Sequence, residues 1–194
     1  MGHSQATKAK SHEKIVKTAA RRLREQGLAG VGVAELMAEA GLTVGGFYKH
    51  FGSRDDLVAE ALASIDSAWE RAVAEGKAKA VPDAKIFARL VDAYLSEEHR
   101  DAPGAGCAFA ALAGDLARGG DRVRRVATGK LARGLERLES LFGDRRASES
   151  RAAALVTFSA LVGAVSLARI AGDDALSREI LTAVARALKT WARE

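Results

Sequence analysis

The tightest constraint on this chain lies between residues 31 and 57, VGVAELMAEAGLTVGGFYKHFGSRDDL. Val33, Leu36, Met37 and Ala40 fall at i, i+3, i+4 and i+7, which lines one face of an α-helix for barely two turns. Gly41 follows where a helix end favours positive φ, and Thr43 stands where it can cap a second helix. That helix, roughly Val44 to His50, sets Phe47 and Phe51 four residues apart for burial and leaves Val44, Gly45, Gly46, Tyr48 and Lys49 on other faces. Two short helices joined so tightly form a helix-turn-helix. Gly45 and Gly46 would each cost about 1 kcal/mol relative to alanine inside a helix. Their use makes sense where backbone must come close to another surface, and a DNA major groove about 12 Å wide is such a surface. Ser53, with Asp56 three residues on, carries a capping-box pattern. The helix it opens directs free N–H groups, with Arg54 beside them, at a site suited to a phosphate.

The run GLTVGGFYKHFGSRDDL closely resembles the second half of the TetR-type DNA-binding domain, which has a Gly-Val-Ser turn, a Phe-Tyr or Leu-Tyr pair, a His-Phe pair and a Ser-Lys-Glu-x-Leu opening to its fourth helix. The specific motifs cover about the first 60 residues. Val44 departs from the pattern where a basic residue is common, and Gly46 where Ser or Thr is common. The resemblance implies an all-α protein of about nine helices. An N-terminal arm and helix-turn-helix domain would occupy residues 1–54, and an effector-binding and dimerisation domain residues 55–194. It implies a homodimeric repressor on palindromic double-stranded DNA, released by a small-molecule effector, with no catalysis, cofactor or metal. The DNA-binding set it implies is Lys14, Thr43, Val44, Gly45, Gly46, Tyr48, Lys49, His50 and Arg54. Tyr48 and His50 would take backbone oxygens, and Thr43 a phosphate. Lys49 would take a guanine edge or a phosphate, and Val44 a thymine methyl.

Composition agrees with that class. With 194 residues, 48% of them hydrophobic, and only two prolines, the chain can bury a core in helices. The net charge of +5 is modest, but its distribution is not: Lys8, Lys10, Lys14, Lys17, Arg21, Arg22 and Arg24 face the single acid Glu13 before residue 25. No apolar stretch follows Met1, so a secretory signal is not expected and the cytoplasm is. Residues 152–168 are apolar but short for a span of about 20 residues, and fit a buried bundle helix better than a membrane segment. One cysteine excludes an internal disulfide, and no His, Cys or carboxylate group has metal-ligand spacing.

Along the rest of the chain, residues 1–10 lack any period and are expected to form a mobile arm, followed by a helix from Ser11 to Gln26 that Gly27 ends. A longer helix from Asp55 to about Ala74 should join the two halves. Gly76 and Val81-Pro82-Asp83 should end the pattern, with Asp83 capping a helix to about Glu98. After a loop at 101–106, a short helix begins near Cys107, and a third pattern runs from Val123 to Leu141. The last two helices, about 147–171 and 174–191, turn Leu155, Phe158, Leu161, Val162 and Val165, and Ile180, Leu181, Val184, Leu188 and Trp191, inward. Periodicity alone allows this pair to be intrachain core, whereas the resemblance implies that it meets its symmetry mate in a dimer. The candidate effector-pocket residues are Trp69, Phe87, Tyr94, Cys107, Phe109 and Phe158. Cys107 sits at a helix start, where the macrodipole favours a thiolate. Its surroundings, GAGCAFAALAGDLAR, resemble the Gly-Cys segment of TetR-type repressors that respond to electrophiles and oxidants. Two rival classes remain: a helical adaptor without DNA binding, and an enzyme that pairs Cys107 with His99.

Overall fold

The computed structural model describes residues 2–143 and 145–192, with side chains from Gln5 onward, and every regular element among them is helical. Ten α-helices are present among the described residues: α1 Gly2–Gln26, α2 Val33–Glu39, α3 Arg54–Ser64, α4 Ala68–Ala78, α5 Asp83–Tyr94, α6 Glu97–Asp101, α7 Ala108–Ala117, α8 Asp121–Glu139, α9 Ala147–Ile170 and α10 Asp174–Trp191. Short 3₁₀ segments occupy Leu28–Gly30, Val44–Lys49, Pro103–Ala105 and Ser140–Phe142. The chain divides into two compact units. The first holds the residues up to Ile65 together with Ala111–Gly129; the second holds Asp66–Ala110 together with the residues from Lys130 on.

In the first unit, α1 buries Ile15, Ala19 and Leu23 against the apolar faces of α2 and α3, where Leu36, Met37, Leu57 and Leu62 are fully enclosed. The helix begins earlier than its hydrophobic period. The expected arm is its first turns, since Ala6, Lys8, Ala9 and Lys10 are strong helix formers that need no buried face; Met1 lies outside the described residues. Gly27 ends α1 at φ 73° and its N–H reaches Leu23 O at 2.9 Å. A tie beyond reach of local sequence holds this turn: Asp115 of α7 accepts the Leu28 N–H at 3.0 Å.

The expected long helix from Asp55 to Ala74 is broken. Ser64 donates to Ala61 O, Ile65 takes an extended ψ of 107° that turns its side chain inward, and α4 starts only after Ser67. Apolar spacing continues across the break, but Ser64, Asp66 and Ser67 favour helix ends over helix interiors. Two further boundaries differ. Pro82, not Asp83, holds the N-cap position of α5, and the Asp83 carboxylate pairs with Lys77 at 2.7 Å. Helix α5 stops at Tyr94, and Ser96 caps the short α6 through the His99 N–H at 3.1 Å.

In the second unit, α9 turns Ala154, Phe158, Leu161 and Val165 inward, and α10 adds Leu181 and Leu188. Helix α9 is long and apolar enough to cross a membrane by length and composition. Its packing here is that of a bundle helix, with Ser150 bonded to Phe142 O at 2.6 Å. Leu155, expected inside, is exposed together with Val156, Leu167, Ile170 and Leu176. The apolar residues of α9 cover both sides of the helix, so spacing could not say which side faces the chain's own core.

Candidate nucleic-acid interface

Helix α2 ends in a Schellman motif: Gly41 adopts φ 74°, its N–H reaches Ala38 O at 2.9 Å, and the Leu42 N–H reaches Met37 O at 2.8 Å. Thr43 then takes extended backbone at the N-cap position, but its side chain makes no capping bond; the turn is closed by the Gly46 N–H to Thr43 O at 2.9 Å. The expected capping role of Thr43 is therefore corrected, and its exposed hydroxyl is free for another partner. Residues Val44–Lys49 form a 3₁₀ segment, not an α-helix. Two consecutive glycines weaken α-helical propensity there, and six residues are short for an α-helix.

One side chain anchors this segment. Phe47 is its sole buried residue, 1% exposed, with its ring 5.5 Å from that of Phe51. With Phe47 fixed, Val44 and Tyr48 stand outward, 49% and 76% exposed, and Lys49 is exposed beside them. A Cβ placed on Gly45 would meet nothing within 4 Å, so backbone itself is the surface at that point. Lys14 joins them: its Nζ lies 3.6 Å from where a Cβ on Gly41 would stand.

The basic face of α1 separates into two parts. Lys8, Lys10, Lys14 and Lys17 are exposed. Arg21 instead pairs with Glu25 and Glu39, and Arg22 with Glu35 and Glu39 at 3.2 and 2.9 Å. Acids of α2 that sequence separation hid thus neutralise the C-terminal end of the cluster. Arg54, one of the expected DNA-binding residues, is exposed and is also tied inward: its Nε donates to Val31 O at 2.8 Å and another nitrogen to Leu28 O. It secures the loop before α2. Ser53 caps α3 as expected, accepting the Asp56 N–H at 3.1 Å, while the Asp56 carboxylate turns to Arg122 at 2.6 Å.

His50 is half-buried, and its Nδ1 has no partner. Burial first, and then the charges of His12, Lys8 and Lys49, hold it below the ordinary imidazole value of 6.5. His12 was not singled out from sequence, yet it stacks on Phe51 at 4.6 Å and meets Glu60 at 2.5 Å.

The second unit contains a cavity of about 560 Å³ between α4, α5, α6 and the start of α7. Of the six expected pocket residues, Trp69, Tyr94 and Cys107 line it. Phe87, Phe109 and Phe158 do not: Phe87 lies edge-on to Phe142 at 5.3 Å, and Phe109 edge-on to Phe158 at 5.5 Å. Cys107 is 5% exposed and immediately precedes α7. His99 joins three segments here. Its Nδ1–H donates to Tyr94 O at 2.6 Å, and its Nε2 accepts the Cys107 backbone N–H at 3.0 Å. Both ring nitrogens are engaged by backbone, so His99 has no lone pair left to act as a base for the Cys107 thiol. Among the described residues, no group of three His, Cys, Asp or Glu could hold a metal ion.

That geometry fixes a pH response. Protonating His99 would set a second N–H against the Cys107 N–H, and burial, opposed by the Tyr94 carbonyl bond and aided by Arg169, keeps its pKa below 6.5. The unfolded chain therefore binds this proton first, and stability falls as pH drops below about 6.5 toward the folded-state value. Thermal melts between pH 7.5 and 5.5 should show that decline, and His99→Gln should flatten it while lowering stability at pH 7.5. An unchanged slope would remove His99 from this role.

A family profile described as "Bacterial regulatory proteins, tetR family" matches residues 15–61. No curated protein sequence matches the chain. Solved structures do. The reduced form of E. coli NemR has a TM-score of 0.77 and 18% identity, covering 93% of this chain and 96% of that one. A TetR-family transcriptional regulator from Streptomyces coelicolor has 0.75 and 19%, covering 96% and 97%. A TetR transcriptional regulator from Chloroflexus aurantiacus has 0.74 and 22%, covering 100% and 98%. The match over helices α1 to α3 assigns residues 15–61 to the N-terminal domain of the tetR-family bacterial regulatory proteins, and the fold of the whole is the all-helical fold of those solved TetR-family structures.

Proposed function

We propose that the protein is a cytoplasmic, homodimeric repressor that grips a palindromic operator through Val44–Lys49 and is released when a small apolar molecule enters the cavity of the second unit. The observation that carries the DNA reading is the 3₁₀ segment itself. A single buried phenylalanine holds it, and its outward face presents a valine, bare glycine backbone, a tyrosine and a lysine. Beside it stand the four exposed lysines of α1. In this reading Lys49 or Val44 meets base edges; Tyr48, His50, Thr43 and Lys14 meet phosphates. Gly45 and Gly46 let the backbone descend between the strands.

The exposed apolar stripe of α9 supports the dimer. Leu155, Val156, Leu167 and Ile170 recur along one side of the helix, with Gly163 between them, where an added Cβ would meet nothing within 4 Å. A second copy of α9 and α10 fits that stripe and would set two recognition segments for adjacent turns. The broken link at Ile65 moves the route of coupling. Helix α7 runs by chain from Cys107 at the cavity to Asp115, which holds the turn after α1. An effector that binds the DNA-incompetent state better by about 1–3 kcal/mol would change operator affinity about 5- to 150-fold.

Cys107 gives this reading a covalent variant. An α,β-unsaturated carbonyl compound small enough to enter the cavity adds to the thiol: the carbon–sulfur bond forms at the β-carbon as the C=C π bond breaks, and the proton lost by sulfur is made up at the α-carbon. Cys107→Ser separates the two routes: it should abolish release by an electrophile and retain release by an apolar ligand. For DNA binding, selection from random duplexes followed by fluorescence anisotropy is the test. Wild type should enrich a palindrome with salt-dependent affinity, Lys49→Ala should relax its sequence preference, and Lys14→Ala should lower the salt slope by about one for each phosphate it neutralises. Absence of any enriched or salt-sensitive binding would favour a helical adaptor.

A further inference from the structure

The cavity wall narrows what can occupy it. Two of its lining residues carry a buried polar atom with no nitrogen or oxygen partner, Trp69 Nε1 and Tyr94 Oη, the latter beside the weakly hydrogen-bonding Cys107 thiol. An indole N–H can only donate. Tyr94 keeps its proton, because burial first and the Cys107 thiol second raise it well above the ordinary 10.0. The imidazole acceptor at the same wall, His99 Nε2, is already taken by the Cys107 backbone. Around these donors lie Val73, Ile86 and Leu90. The charged lining residues, Glu75 and Glu98 against Lys79 and Arg89, balance and offer no net charge to hold an ion. A volume of about 560 Å³ falls within the range of about 300–1,000 Å³ usual for organic ligands.

We infer that the cavity takes a compact, uncharged, largely apolar molecule bearing a hydrogen-bond acceptor, such as an aromatic ketone, whose oxygen accepts from Tyr94 Oη and Trp69 Nε1. The inference rests on the effector-site reading above and adds the chemical class of the effector. An amine, with one lone pair, meets only one of the two donors, and an alcohol that accepts from both brings an O–H of its own that must also be paired. Hydrocarbons gain only the apolar wall. A buried donor without a protein partner therefore selects for the carbonyl more than shape does.

Isothermal titration of the full chain with 9-fluorenone and with fluorene, which share a skeleton and differ in the carbonyl, tests this directly. Wild type should bind fluorenone at least tenfold more tightly, a difference of about 1.4 kcal/mol. Tyr94→Phe and Trp69→Phe, each checked for helix content by circular dichroism, should lower the ratio of fluorenone to fluorene affinity measured within the same variant, whatever either change does to the apolar wall that both compounds share. Cys107→Ser should keep the preference, because no bond to sulfur is involved. Equal binding of the two compounds to wild type, binding of neither, or a preference that survives in both Tyr94→Phe and Trp69→Phe would each overturn the inference. The titration contains no DNA, so its failure is separate from failure of the regulator reading, which operator binding by the unliganded protein decides.

Discussion

Phe47→Ala should remove about 3–5 kcal/mol of stability, the usual cost of deleting a fully buried phenylalanine and leaving its space partly unfilled. That is a large part of the roughly 5–15 kcal/mol that holds a domain together. The expectation is firm here because little else holds Val44–Lys49 in place. The segment is 3₁₀, contains two glycines, lacks a side-chain cap at Thr43, and buries no other residue. Its other restraints include the Gly46 N–H bond to Thr43 O at 2.9 Å, the His50 and Phe51 N–H bonds to Phe47 O at 2.9 and 3.0 Å, and the packing of Phe51. Urea denaturation followed by far-ultraviolet circular dichroism should show a lowered midpoint. Operator binding should be lost at urea concentrations that leave the wild type bound. A loss under about 1 kcal/mol would mean that another element positions the segment.

Leu167→Glu combined with Ile170→Glu should convert a dimer into a monomer and weaken operator binding by about 10²-fold or more, the range by which joining two binding modules exceeds one. Both side chains are exposed within the chain, Ile170 at 77%, so the fold does not depend on them and helix content should persist. In the dimer the same residues would be enclosed. A buried glutamate without a partner is then strongly unfavourable. Light scattering reports the mass and anisotropy the affinity. Dimer mass in the double variant, or a monomer that binds as tightly as wild type, would place the interface elsewhere.

What the sequence revealed and what it hid divide along a physical line. Gly41, Gly27 and Ser53 act through bonds to residues within a few positions, and the turn, the helix end and the cap are where the sequence places them. Phe47 and Phe51 are both buried as their spacing suggested, although the segment is 3₁₀ and Phe51 lies beyond its end. Arg21, Arg22 and Arg54 read as phosphate ligands because their partners, Glu35, Glu39 and the carbonyls of Leu28 and Val31, arrive only with the fold. The same holds for Asp115, 87 residues from the amide it accepts. Among the aromatics, residue type marked Phe87, Phe109 and Phe158 as equal to Trp69 and Tyr94, and all five pack on other rings, yet only the last two also border the cavity. Leu155 shows the limit of periodicity, which finds an apolar helix without saying which side its own chain covers.

Methylation interference on a selected operator tests the central claim most directly, since dimethyl sulfate marks guanine N7 in the major groove and adenine N3 in the minor groove. Methyl groups on guanine N7 should block binding in two tracts related by two-fold symmetry and centred one helical turn, about 34–36 Å, or a multiple of it, apart. Interference confined to adenine N3, or none at all, would contradict the placement of Val44–Lys49 in the major groove.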